Sequence, residues 1–153
     1  IDRYGNQNIA CIGDPAKPKA QLLGMRGAPG NTINHTTSYW VPKHAPNVFV
    51  EKVDVVSGVG YDRAAELGER SSRFHCIHRV ISNLGVFDFE TPDHRMRLRS
   101  VHPGVTLDEV VENTGFELVI PDESSESRAP SDEELRIIRE VLDPEGLAAR
   151  EVS

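Results

Sequence analysis

Two cysteines in the whole chain, Cys11 and Cys76, are too few for a disulfide framework and stand at no metal-ligand spacing. Each lies in an apolar run, so both are expected to be buried packing thiols. A basic excess is missing too: the formal charge is −7 and no basic cluster interleaves with aromatics, so a nucleic-acid surface is not expected. No apolar run approaches bilayer-spanning length and no signal segment opens the chain, which predicts a soluble protein of the cytoplasm with no membrane partner. The six histidines, His35, His44, His75, His78, His94 and His102, form no zinc motif. His75 and His78, three apart in a predicted strand, point to opposite faces, so no metal site is expected. No serine sits in a G-x-S-x-G elbow and neither cysteine in an exposing turn, which leaves no evident nucleophile. Glu51, Asp54, Asp88 and Glu90 have the chemistry of general bases, yet acids along strands are usually solvated or ion-paired. Nor does the chain open on Met: Ile1-Asp2-Arg3-Tyr4-Gly5 reads like the middle of a protein. At 153 residues, 1–153 is expected to be a single domain with its own core, the C-terminal part of a longer polypeptide.

What is present is organised around Gly24 to His35, GMRGAPGNTINH. An apolar run, Gln21-Leu22-Leu23, ends there in glycines at 24, 27 and 30, with Pro29 between the last two. This predicts a strand breaking into a tight loop, with Asn31 to His35 opening a helix whose first amides lack helical partners. Arg26 adds a cation able to hold a carboxylate through two parallel hydrogen bonds. Spacing alone fits a solvated glycine-rich turn equally well.

Before this loop, the polar turn Asp2 to Asn8 leads into Ile9-Ala10-Cys11-Ile12, a run suited to a strand covered on both faces. Its amides, Asn6, Gln7 and Asn8, either orient a ligand or close turns through side-chain to backbone bonds. Residues 13–19 carry two prolines and form a connection. Beyond the loop, Thr36 to Val41 holds Tyr39 and Trp40 before Pro42, and 47–56 reads as one or two strands. Ser57 to Tyr61 is a second glycine-rich turn, and 62–73 a charged surface excursion with a helical turn at Ala64 to Leu67. Strands are predicted over 73–82 and 84–89. Met96 and Leu98 alternate with Arg95, Arg97 and Arg99, predicting a strand with a cationic solvent face. Thr106 with Glu109 reads as a capping box, and Gly115 as the left-handed residue that ends that helix. A short strand over 116–120 and an acidic serine-rich loop follow. Ser131 with Glu134 makes a second box, ahead of a helix whose Leu135, Ile138, Val141 and Leu142 share one face until Pro144. The alternation of strands and helices predicts an α/β fold with an open mixed sheet flanked by helices.

Three stretches resemble the β subunit of the class I coenzyme A transferase family. DRYGNQNIACIG is similar to that family's Asp-x-x-Gly-Asn-x-Asn strand entrance, GMRGAPGN falls where the family has a Gly-x-Gly-Gly-Ala loop, and LGVFDF with HPGVTLDEVVENTGF is similar to its C-terminal run. The likeness continues through PSDEELRIIREVLDP and so covers nearly the whole chain. It implies a coenzyme A transferase-like fold, an α subunit as partner in an αβ heterodimer or α2β2 assembly, and a thioester bound between the two. Gly24, Gly27 and Ala28 keep the family pattern, while Arg26 replaces a glycine. That departure, with NTINHTTSYW after it, is similar to a divergent branch that opens the last carbocyclic ring in steroid and cholesterol breakdown. The branch implies water addition and retro-Claisen cleavage of a cyclohexenone carboxyl-CoA with a propionate arm, and a glutamate base on the α subunit. The substrate-binding residues would be Arg26, Gly27 and Ala28, with Asn8, Asn31, Asn34 and Tyr39 as further lining. No cofactor is implied, since coenzyme A is part of the substrate. The alternatives are an ordinary transferase subunit, whose catalytic glutamate would lie upstream, and a non-catalytic scaffold.

Overall fold

The computed structural model describes residues 1–151. Its centre is a five-stranded mixed sheet in the order β3-β4-β5-β6-β7. β3 (Thr36–Val41) runs parallel to β4 (Cys76–Ser82), β5 (Gly85–Asp88) and β6 (Arg97–Val101) follow antiparallel, and β7 (Ser125–Glu126) joins β6 in parallel. A separate two-stranded ribbon pairs β1 (Cys11–Ile12) with β2 (Ala20–Gln21).

A period-two pattern, shifted by a register irregularity between Ile77 and Arg79 of β4, decides which side of the sheet is buried. Tyr39, Ile77, Val80, Phe87 and Leu98 enter one core, closed by Phe49, Met96, Val110, Phe116 and Leu118. The residues between them form the other face, where the register aligns Trp40 with Ile81 and Ile81 with Val86. Trp40 is 67 % exposed, so this row meets solvent. The arginines of β6 also lie on this face, as the alternation predicts. Asp88, fully buried beneath them, accepts two bonds of 2.9 Å from Arg97 and one from Arg99, so the cationic stripe is largely compensated.

The helices are α1 (Ala28–Asn34), α2 (Tyr61–Glu66), α3 (Glu69–Ser72), α4 (Leu107–Glu112), α5 (Asp132–Arg136) and α6 (Leu147–Glu151). α5 continues as one π-helical segment, Ile137–Leu142, and stops at Asp143 ahead of Pro144. The Ser131 capping box is complete in both directions; of the Thr106 pair, the bond from the Glu109 amide to the threonine hydroxyl forms. The apolar side of the π segment stays open, with Ile138, Val141 and Leu142 exposed.

Several expectations are corrected. The run Ile9 to Ile12 is a strand only at Cys11 and Ile12, and Ile12 is exposed, because the ribbon lies off the main sheet and only one side of it is covered. Cys11 is a buried free thiol, but Cys76 is half-buried. Residues 47–56 form no strand: the Val48 and Phe49 amides turn back onto Ala45 O, which drives the Phe49 ring against His44 and Phe87, and Val50 makes only isolated bridges. Gly115 is not left-handed. It is glycine because a Cβ there would stand 2.5 Å from Phe49 O and 2.8 Å from Pro46 O. The predicted strand over 116–120 shrinks to one bridge, Val119 with Arg97, while the serine-rich loop contributes β7. Helix α1 starts at Ala28 rather than Asn31, and the excursion after Tyr61 holds two helices.

Candidate functional site

Gly24 comes into place because its amide donates to Ile9 O at 2.8 Å and a Cβ would fall 2.5 Å from Ile9 Cδ1. Met25 then takes φ 137°, a strained conformation for a residue with a side chain. The chain turns through Arg26 and Gly27 into α1, with Pro29 in the first turn, where its missing N–H costs nothing. The Ala28 amide donates to Met25 O at 3.2 Å, and the Asn31 amide to Gly27 O at 3.0 Å. The Gly27 amide makes no hydrogen bond among the described residues. Arg26 is exposed and has no hydrogen bond or ion pair there either.

A single side chain of α1 is buried, that of Thr32. Its hydroxyl donates to Ala28 O at 2.8 Å and accepts the Val59 amide at 2.9 Å, tying the helix to the second glycine-rich turn. That turn is itself held from below. The Gly60 amide donates to Asn6 Oδ1, while Asn6 Nδ2 donates to Asp2 and Asp62. Burial raises the Asp2 carboxyl pKa, the Asn6 hydrogen bonds pull it back, and Asp62 nearby adds to the rise. His75 Nε2 bonds Val59 O at 2.8 Å.

The structure brings Arg26, Gly27, Ala28, Asn31 and Asn34 together on one turn and the short helix it opens. Asn31 and Asn34 are exposed, and Asn34 Nδ2 is spent on Gly30 O. Tyr39 lies behind the helix: its hydroxyl is buried without a partner among the described residues, 3.0 Å from where a Cβ on Gly58 would stand. Burial raises its pKa, so the phenol remains a proton donor. Asn8 stands apart. Its side chain accepts from the Ala10 and Cys11 amides and donates to Cys11 O, closing the turn before β1, and it lines a groove of about 430 Å³ with Ile12, Leu22 and Val50. Another cleft, of about 490 Å³ between Asp2, Glu51, Asp54 and Asp62, contains none of the predicted site residues. No metal-binding cluster of His, Cys, Asp or Glu exists among the described residues. Sequence reasoning missed Thr32 and Val59. The available signal was a threonine, a weak helix former, in the middle of a short helix.

The chain matches no family profile. It superimposes with a TM-score of 0.86 on glutaconate coenzyme A-transferase from Acidaminococcus fermentans, at 31 % identity over 95 % of this chain and 56 % of that one. Its fold is that of the coenzyme A transferase family. The chain is 58 % identical over 153 residues to the cholesterol ring-cleaving hydrolase IpdB subunit of Rhodococcus jostii RHA1. On the crystal structure of IpdAB from that organism it gives a TM-score of 0.90 and covers 61 % of the matched chain. The chain thus spans about 60 % of the length of the curated hydrolase relative it matches.

Proposed function

We propose that the chain is the site-bearing part of the β subunit of a heteromeric cytoplasmic hydrolase. Its substrate is a steroid breakdown intermediate, a cyclohexenone carboxyl-CoA with a propionate arm, and its reaction opens the last carbocyclic ring. Water adds at the ring carbonyl, the bond from that carbon to the one bearing the thioester breaks, and its electron pair is held as a thioester enolate until protonated. The partner is an α subunit that supplies the glutamate base. Coenzyme A arrives with the substrate, so no further cofactor is needed.

The single observation carrying this reading is Arg26: an exposed guanidinium with no partner among the described residues, on a strained turn between two glycines, in a chain 58 % identical to a ring-cleaving hydrolase subunit. A carboxylate arm would satisfy its fork of donors. The free Gly27 amide would meet the enolate or thioester oxygen, and the Ala28 amide would do so once released from Met25 O. Asn31 and Asn34 would shape the surrounding surface, with Tyr39 buried behind α1 and Asn8 apart from it.

Arg26→Ala in the assembled heteromer should leave assembly intact. Assayed with the propionate-bearing thioester, it should cost about 2–4 kcal/mol in transition-state stabilisation if the carboxylate is desolvated. An unchanged kcat/KM would remove Arg26 from the site. Trapping of a glutamyl-CoA thioester by hydroxylamine would instead favour an ordinary transferase.

A further inference from the structure

Helix α1 has little to hold it. Its N-cap, Gly27, offers no side-chain acceptor, and its one buried residue is Thr32, 2 % exposed. The Thr32 hydroxyl reaches Ala28 O at 2.8 Å and Pro29 O at 3.2 Å within the first turn, and takes the Val59 amide at 2.9 Å from outside. The first turn of α1 follows directly on Arg26 and Gly27, so whatever sets its height above the 57–60 turn also sets the Arg26 stem and the Gly27 amide. Val59 itself is well anchored, through His75 at its carbonyl and the Asn6 bond to Gly60.

We propose that Thr32 is a positioning residue for substrate: its hydroxyl clasps α1 to the anchored Val59 amide and so places Arg26 at the substrate carboxylate and Gly27 at the oxyanion. The inference rests on the reading of Arg26 given above. It also makes a claim independent of that reading, that one hydroxyl rather than apolar packing locates the helix.

Thr32→Val keeps shape and volume but deletes the clasp and strands a part-buried amide, while Thr32→Ser keeps the bond. Two probes are used with the full-length heteromer: the propionate-bearing cyclohexenone carboxyl-CoA and its propionamide analogue. Thr32→Val should raise KM for the acid about tenfold, as expected from an unsatisfied part-buried donor, and change KM for the amide much less. Thr32→Ser should stay near wild type on both. A Thr32→Val enzyme with wild-type KM on both probes, or with both kcat values lowered equally alongside a lowered melting temperature, overturns the proposal. A wild-type heteromer that treats acid and amide alike sinks the Arg26 reading instead. Amide exchange then decides the clasp by itself. Thr32→Val should speed exchange over 31–34 and at Val59 but not in β4 to β6, and unchanged exchange refutes it.

Discussion

At the scale of the residue, His44 shows burial overriding an intrinsic preference. Its ring stacks on Phe49 at 3.6 Å, bonds Ser82 Oγ and Thr114 Oγ1, and is 5 % exposed, so burial lowers its pKa from 6.5 to about 4. A depressed folded pKa means that the unfolded chain binds more protons between those values. His44 therefore contributes stability that is complete above pH 6.5 and is lost as pH falls toward 4, by up to about 3 kcal/mol. Urea midpoints measured from pH 7 to 4 should fall, and the ring should stay neutral by NMR at pH 5.5. A ring that titrates near 6.5 would contradict the stacked, buried geometry. Asp88 has the same sign from a different cause. Burial alone would raise its pKa, but the hydrogen bonds from Arg97, the Glu90 amide and Arg99 outweigh burial and hold it below 3.8, so its contribution fades only at lower pH.

At the scale of the element, the ends of helices separate local signals from distant ones. The Ser131 box is legible because both its bonds span three residues and each partner is named by the motif. Gly115 was misread because a glycine after a helix is usually a left-handed cap, whereas here the requirement comes from carbonyls of Pro46 and Phe49, some seventy residues away. Gly115→Ala should therefore cost about 2–3 kcal/mol by overpacking against backbone that cannot yield. A urea midpoint unchanged from wild type would show that the 46–49 turn can move aside. The same long reach explains 47–56. Its valines alternate as a strand should, but Phe49 is worth more inside the core than in a ladder. The loop at Arg26 was legible through its glycines and its departure from the family pattern. Its fastening by Thr32 was not, since nothing in the local sequence names Val59 as partner.

At the scale of the whole molecule, the accessible surface is 9899 Å², against about 7,700 Å² for a compact monomer of this mass. The excess is visible as an open sheet face at Trp40 and Ile81 and an open apolar side on the π segment. Apolar patches of that kind drive association. The 153-residue chain expressed alone should self-associate at micromolar concentration in sedimentation velocity, and Trp40→Glu combined with Leu142→Glu should reduce this. A monodisperse wild-type monomer would mean that these patches are not sticky. Antiparallel strands can face solvent on one side, and the antiparallel run β4 to β6 does so here.

The sequence by itself determined whatever depends on neighbours a few residues apart: the α/β alternation, the inward side chains of β4 to β6, the Ser131 box, and the glycine-bounded turn carrying Arg26. Only the tertiary structure decided which glycines answer to distant carbonyls, that 47–56 spends its aromatic on the core, that one hydroxyl anchors α1, and which faces stay open. The division follows from range. Periodicity and capping are written within one or two turns of backbone, whereas close approach, burial and the clasp depend on segments that meet only once the chain has folded.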